Sequence, residues 1–273
     1  MHGRTLDVRG LVLSLVLLVA LSRLVEPPLL WGIAGLLLVA SAVATLQVLA
    51  GAHPSAGSIG VPVEFLLVPS VAAVASLGVM QLVPLGIWLV PALAGAGLLI
   101  GRTLRTEAAV LAGTLPAGPE SRQAVMGGIL LVAFVAFVGA AASVPGGLPD
   151  VPGGLLPSEG IRLRNLVILV GSDGLVAGLL AYRAAAIRGN VLRAVFWSAV
   201  SCAAAVAIAA LGLRAMAIPR LLGPALLVIV FYLWDSIHGA VRADERDARR
   251  IWEGLLLAVA AVVVITWSQN AAG

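Results

Sequence analysis

The residues best suited to chemistry are Asp235 and His238, which lie three positions apart near the end of an apolar segment. Residues at this spacing share one face of a helix. Ionisable groups at membrane depth are costly and usually face a cavity or a charged partner. Together with Glu64, which begins an earlier apolar segment, and with Arg242 closing the group, they predict a polar pocket that relays protons or binds a cation.

A simpler interpretation of the same residues needs no site. The helix dipole favours a carboxylate such as Glu64 in a first helical turn, and Asp235 and His238 can meet interfacial water or the arginine-rich segment that follows. The sequence has no His-Glu-x-x-His motif, and all 17 basic residues are arginine, which excludes Schiff-base and Walker A lysines. We therefore predict no catalytic residue, no metal site and no cofactor.

The elements that position these residues are apolar enough to require a lipid environment. The chain is 61% hydrophobic and 11% charged, whereas soluble domains carry about 25% charged residues. Its mean hydropathy is +1.09. This composition predicts an all-α fold, a polytopic transmembrane helical bundle that forms one integral membrane domain over residues 1–273. The arginines lie mostly in short loops, so we expect membrane lipids and membrane proteins as partners, and no nucleic acid.

Breaks in the apolar pattern predict nine spans. The first could instead be a cleaved signal within residues 1–22, because Ala20-Leu21-Ser22 is similar to a small-residue cleavage site, and eight spans would then remain. The predicted spans lie near residues 10–25, 29–50, 61–79, 83–101, 123–143, 166–182, 191–213, 218–239 and 251–269.

The arginine distribution predicts an orientation. With nine spans, the arginines of the N-terminal segment and of three later turns fall on one side, and by the positive-inside rule this side is cytoplasmic. We expect the N-terminus in the cytoplasm and the C-terminus outside. The compositional bias is typical of a GC-rich bacterial genome, hence of a plasma (inner) membrane. The twelve cytoplasmic arginines are Arg4, Arg9, Arg102, Arg105, Arg122, Arg183, Arg188, Arg193, Arg242, Arg246, Arg249 and Arg250.

A nine-residue pattern with two prolines occurs twice, at 61–69 and 83–91. In each copy the first proline suits a first helical turn, and the second is expected two turns into the helix, where it removes a hydrogen bond and kinks it. Proline-interrupted spans in paired positions can mark a transporter's substrate path. The predicted kink residues are Pro62, Pro69, Pro84 and Pro91.

Small residues and arginine pairs suggest further contacts. Glycines four apart predict close helix packing, and they are Gly97 with Gly101 and Gly174 with Gly178. We expect Asp173 near the outer end of its helix, in reach of Arg162 or Arg164. Arginine pairs also suit lipid headgroups, and the candidates are Arg162 with Arg164 and Arg249 with Arg250.

Three functions are compatible with these features. A permease-like protein or membrane-complex subunit is favoured, because the prolines and glycines are distinctive and few groups converge for catalysis. A membrane-embedded enzyme acting on a lipid or polyprenyl substrate would use Asp235, His238 and Glu64. A structural protein would dock a partner through the Gly- and Pro-rich outer loop at 144–165.

Overall fold

The computed structural model describes most of the chain and is helical in every regular element of the described ranges, which confirms the all-α class. The described residues are 8–24, 27–52, 61–114, 119–148, 162–189, 191–215 and 221–242. The helices are α1 (Val8–Leu21), α2 (Pro27–Ala52), α3 (Glu64–Met80), α4 (Leu89–Leu111), α5 (Pro119–Ser143), α6 (Leu163–Ile187), α7 (Leu192–Ala215) and α8 (Leu222–Arg242), with a short 3-10 helix at Ser22–Leu24.

Within the described ranges, four helices are long and apolar enough to cross a membrane. They are α2 over Leu29–Gly51, α5 over Gln123–Ser143, and all of α6 and α7. The apolar helices Glu64–Met80 and Leu222–His238 are shorter. The predicted ninth span, 251–269, lies outside the described residues, so nine crossings stay a prediction.

Helix α4 departs most from the sequence prediction. It begins at Leu89 and continues to Leu111, whereas a span at 83–101 followed by a polar loop was expected. The helix starts late because residues 81–88 form turns, with Gly86 at φ +141, a backbone conformation that glycine adopts without steric cost. It ends late because the Arg, Glu, Ala and Leu residues that predominate after Gly101 are good helix formers.

The first compact unit, Met1–Gly139, contains α1 to α4 and most of α5. Helices α1 and α4 run antiparallel, since Gly97 lies against Val16 while Gly101 lies against Val12. The core of this unit is built by buried residues of four helices, namely Leu15, Val19, Leu30, Leu37, Ala44, Ala73, Leu77, Met80, Ala96, Ile100 and Leu104.

Helices α3 and α5 approach each other more closely than side chains permit. A Cβ atom added at Gly139 would lie 2.6 Å from the Ala75 carbonyl oxygen, and one added at Gly78 would overlap the Gly139 backbone. Contacts below 3 Å force the backbone to move, so both positions require glycine. This seam was not predicted from the sequence.

The second compact unit, Ala140–Gly273, contains the end of α5 and helices α6 to α8. Helices α6 and α7 form an antiparallel pair, because Gly174 lies against Ala207 while Gly178 lies against Ala199. Helix α8 packs on both α6 and α7. The chain after α5 is tied to α6 by a hydrogen bond that the Asn165 side chain donates to the Pro145 carbonyl, 3.1 Å long.

Hydroxyl side chains within the apolar helices mostly donate to their own backbone. The Thr45 and Ser76 hydroxyls donate over 2.7 Å to the carbonyls of Ser41 and Ala72, four residues earlier. Such bonds satisfy a polar group locally where no water is present. Most hydroxyls are thus satisfied locally, with the buried Ser70 hydroxyl as an exception.

Candidate functional site

Four charged side chains are buried among the described residues: Glu107, Asp173, Arg183 and Asp235. Burying an ionised group is expensive unless a charged or hydrogen-bonding partner compensates it. Such groups in an apolar helix bundle are therefore candidates for a site. The two aspartates both belong to the second unit, and their surroundings differ.

Asp235 is compensated by an ion pair. It lies on α8, is 5% exposed, and accepts a hydrogen bond from the Arg188 guanidinium. Arg188 caps the C-terminal end of α6, and its side chain is 33% exposed. The guanidinium thus reaches inward from a helix end while part of its side chain stays in contact with the surroundings, as long basic side chains do.

His238 is held by its own helix. Its ring stacks at a tilt on the Trp234 ring, with centroids 4.5 Å apart, and its Nδ1 atom lies 3.1 Å from the Trp234 carbonyl oxygen. The Trp234 indole N–H is buried and has no hydrogen-bond partner in the described part of the chain. Asp235 and His238 were predicted as a pair, but the hydrogen bonds of the aspartate go to Arg188.

The other two members of the predicted pocket occupy separate places. Glu64 is the first residue of α3, in the first unit, where a carboxylate suits the helix dipole. Arg242 is the last residue of α8, and its side chain lies outside the described part. The pocket of Glu64, Asp235, His238 and Arg242 stays a prediction.

Asp173 has no comparable partner. It lies in the middle of α6 and is 3% exposed, and its Oδ1 atom is buried without a hydrogen-bond donor in the described ranges. Arg214, near the end of α7, is the basic residue whose charge acts on it. The neighbouring Ser172 hydroxyl donates instead to the Leu169 carbonyl, 2.8 Å away. One carboxylate oxygen is therefore left uncompensated inside a membrane-length helix.

The expected pairing of Asp173 with Arg162 or Arg164 is wrong on geometric grounds. Helix α6 begins at Leu163, so Asp173 lies ten residues from its start and not near its end. Nine residues separate it from Arg164, which corresponds to about 14 Å along the axis of a helix. The prediction failed because α6 extends beyond the predicted span at 166–182.

The four predicted packing glycines lie at helix interfaces. A Cβ atom added at Gly174 would lie 3.1 Å from the Ala203 carbonyl oxygen, and one at Gly178 would lie 3.2 Å from the Ala203 side chain. In the first unit, Gly97 and Gly101 face valine side chains of α1. Helix α6 therefore presents a small-residue face to α7 immediately beside Asp173.

The four prolines do not occupy equivalent positions. Pro69 lies inside α3, as predicted for the first copy of the pattern, whereas Pro62 precedes the helix instead of lying in its first turn. Pro84 lies in the turns that precede α4, and Pro91 is only the third residue of that helix. A proline in a first turn removes no intrahelical hydrogen bond, so the predicted kink at Pro91 has no physical basis in this geometry.

The predicted lipid-binding arginines are only partly described. Arg162 caps the N-terminal end of α6, and both it and Arg164 are exposed. Arg249 and Arg250 lie outside the described residues, as does most of the outer loop. Among the residues described, no three His, Cys, Asp or Glu side chains converge in a way that could hold a metal ion.

No protein-family model, no curated protein and no solved structure matches this chain. Function therefore has to be argued from the buried charges themselves.

Sequence reasoning did not select Arg188, Arg214, Arg23 or Gln81 as site residues. The first two entered only as loop charges that set the orientation, because no spacing rule links them to aspartates 47 and 41 residues away. An available signal was their position at helix ends, where long side chains can reach back along a neighbouring helix. Arg23 and Gln81 form a separate cluster in the first unit.

Proposed function

We propose that the chain is a multi-pass, permease-like protein of a bacterial inner (plasma) membrane, acting alone or as a subunit of a membrane complex. The observation that carries this proposal is Asp173, a buried carboxyl group with an uncompensated oxygen in the middle of a membrane-length helix. Acidic groups in such positions are expensive and typically lie on an ion or substrate path.

The surroundings of Asp173 favour a small cationic cargo or a proton. Gly174, the neighbour of Asp173 in the chain, packs against the small, uncharged residues Ala203 and Ala207 of α7. Arg214 acts on Asp173 as a charge but is not hydrogen-bonded to its Oδ1 atom. The carboxyl group then has two ways to be neutralised, by the cargo or by Arg214, and alternation between them is the elementary step of the proposed transport.

The Asp235–Arg188 pair supports transport over lipid chemistry. The Asp235 carboxylate is already bonded to the Arg188 guanidinium, so its oxygen atoms are less available to a substrate or a metal ion. In the proposed protein this ion pair instead fixes α8 against the end of α6.

Nine crossings with the N-terminus in the cytoplasm and the C-terminus outside remain part of the proposal. The antiparallel pairs α1–α4 and α6–α7 support it, because spans of odd and even number run in opposite directions in such a topology. Tags at the two ends test it, and we expect only the C-terminal tag to be reached from outside intact cells. Two tags reached from the same side would contradict nine crossings.

Transport is tested with the full chain reconstituted in liposomes on a solid-supported membrane. Concentration jumps of protons, sodium, potassium and a panel of cationic solutes are applied, and the resulting charge movement is recorded. We expect at least one of them to give a current that Asp173→Asn abolishes. Ser172→Ala is the matched control, because its hydroxyl bonds only the backbone of α6, and it should keep the current.

Two outcomes of the transport assay would contradict the proposal. If protein that is folded and inserted gives no current that depends on Asp173 with any jump, the permease proposal fails. A current that survives Asp173→Asn but disappears with Asp235→Asn would move the path to the other carboxylate and would equally contradict the role given to Asp173.

A further inference from the structure

A second charge without a charged partner among the described residues lies in the first unit, at the junction of the 3-10 helix after α1 with the end of α3. The Arg23 guanidinium donates from Nη1 to the Gln81 side-chain oxygen over 3.1 Å and from Nη2 to the Val83 carbonyl over 2.9 Å. Both partners are neutral. Since Arg23 is half-buried, its positive charge lacks a counter-charge within the described residues.

Two buried donors at this place have no acceptor. They are the Arg23 Nε atom and the Gln81 side-chain nitrogen, and neither has a hydrogen-bond partner in the described part of the chain. An arginine offers five N–H donors in a planar fork, and here only two of them are used. Because the Gln81 side-chain oxygen accepts from Arg23, its N–H group lies near the guanidinium, and both groups have room for an oxygen acceptor that the described residues do not supply.

Phosphate oxygens match this requirement best. A guanidinium binds phosphate through parallel hydrogen bonds and supplies the opposite charge. The amide N–H of Gln81 can reach a further oxygen of the same group. A single water would satisfy the donors but would leave the charge of Arg23 uncompensated.

The surroundings indicate a phosphate that belongs to a lipid. The side chains that flank the cluster are apolar and largely exposed, including Leu24, Leu85, Ile87 and Trp88, and Ile87 is 82% exposed. Exposed apolar and tryptophan side chains beside a turn are typical of a membrane interface. Arg23 follows α1 and Gln81 follows α3, so the two residues lie on the same, outer side in the proposed topology.

We propose that Arg23 and Gln81 bind the phosphodiester headgroup of an anionic phospholipid of the outer leaflet, with its acyl chains over the apolar turn at 82–88. The site is distinct from the predicted arginine pairs and does not depend on transport. It explains why a half-buried arginine is retained between two neutral partners.

The test measures lipid binding to the full chain, purified in a neutral detergent, by native mass spectrometry. Phosphatidylglycerol, phosphatidylcholine and inorganic phosphate are titrated in parallel. We expect specific binding of phosphatidylglycerol that Arg23→Gln weakens about tenfold, as the loss of a charge-assisted hydrogen bond implies. Arg105→Gln removes an exposed arginine elsewhere in the same unit, and it should keep the affinity of the wild-type protein.

Gln81→Glu keeps the proposal testable if Arg23→Gln does not fold. This change has the same shape, and it gives Arg23 an internal carboxylate in place of the headgroup. We expect it to lose phosphatidylglycerol binding to the same extent, while its melting temperature without lipid equals or exceeds that of the wild type.

Three results would overturn the assignment. Unchanged phosphatidylglycerol binding in both variants would show that the cluster is not the site. Inorganic phosphate binding as tightly as the lipid would make the ligand a free anion. Equal affinity for phosphatidylcholine would remove the requirement for an anionic headgroup.

Discussion

Asp173 and Asp235 are both buried in the second unit, yet the structure treats them differently. Asp235 is bonded to Arg188, whereas an oxygen of Asp173 has no donor in the described residues. Arg188 lies at the end of α6, from which a long side chain reaches a carboxylate one helix away. Asp173 lies in the middle of the same helix, among glycines and alanines.

The difference between the two aspartates indicates that a buried carboxylate is neutralised at a lower free-energy cost when its basic partner lies at a helix end. Near a helix end, the partner keeps part of its side chain in polar surroundings and so avoids full desolvation. At mid-helix, a permanent ion pair would require two fully buried charges. In the proposed function Asp235 is therefore the structural residue and Asp173 the functional one.

Removal of Arg188 should have the largest effect. Arg188→Ala leaves Asp235 buried without its ion-pair partner, and we expect a loss of about 3 to 5 kcal/mol of stability. Unfolding of the detergent-solubilised protein measures it. The double variant Arg188→Met/Asp235→Leu removes both charges and should recover most of the lost stability. If it does not, the loss in Arg188→Ala does not come from leaving the Asp235 charge unpaired.

Asp235→Asn should cost less than Arg188→Ala, although it breaks the same ion pair. The side chain of Arg188 is 33% exposed, so its charge can turn outward, and the asparagine oxygen still accepts a hydrogen bond. We expect a loss of about 1 to 3 kcal/mol in the same unfolding assay. A loss equal to that of Arg188→Ala would contradict the asymmetry between the two partners.

Gly174→Ala changes the wall beside Asp173 without touching either charge pair. Its methyl group would meet the Ala203 carbonyl oxygen at 3.1 Å. This overpacking costs about 1 to 3 kcal/mol of stability. Alanine is the better helix former and offsets part of it, so we expect a net loss of about 1 kcal/mol. At Gly171 an added Cβ atom meets nothing within 4 Å. Gly171→Ala is therefore the matched control, and it should be neutral or slightly stabilising in thermal unfolding.

Asp173→Asn should have the smallest effect on stability. The substitution removes a charge that has no bonded partner, so we expect the free energy of unfolding to change by less than about 1 kcal/mol while transport is lost. Thermal unfolding and the transport current are measured on the same preparation. A destabilisation as large as that of Arg188→Ala would mean that Asp173 has an essential structural partner.

The sequence was sufficient to predict some helices, but not the bounds of α4 or the charge pairs. Helix α2 and helix α7 follow directly from runs of apolar residues bounded by prolines or arginines. In contrast, Arg188 was one of several arginines assigned to the side of Asp235, and nothing in the spacing distinguished it from Arg242. Pairing between helices depends on their packing, which hydrophobic periodicity does not encode.

The proline pattern shows how one residue changes a helix start. The two copies match at both prolines, yet Glu64 stands in the first copy where Gly86 stands in the second. Glu64 begins α3 at once. Gly86 adopts φ +141, and α4 begins only at Leu89. The similarity of the copies therefore overstated the similarity of their structures.

The late end of α4 has a practical consequence for mapping the protein in cells. Residues 102–111 add ten residues, or about 15 Å of helix, beyond its apolar part. In the proposed orientation this extension, which packs on the first unit through the buried Leu104 and Glu107, carries Gly113 into the cytosol. An epitope inserted after Gly113 would be reached by antibody only once cells are permeabilised, which makes this helix tip a convenient reporter of sidedness.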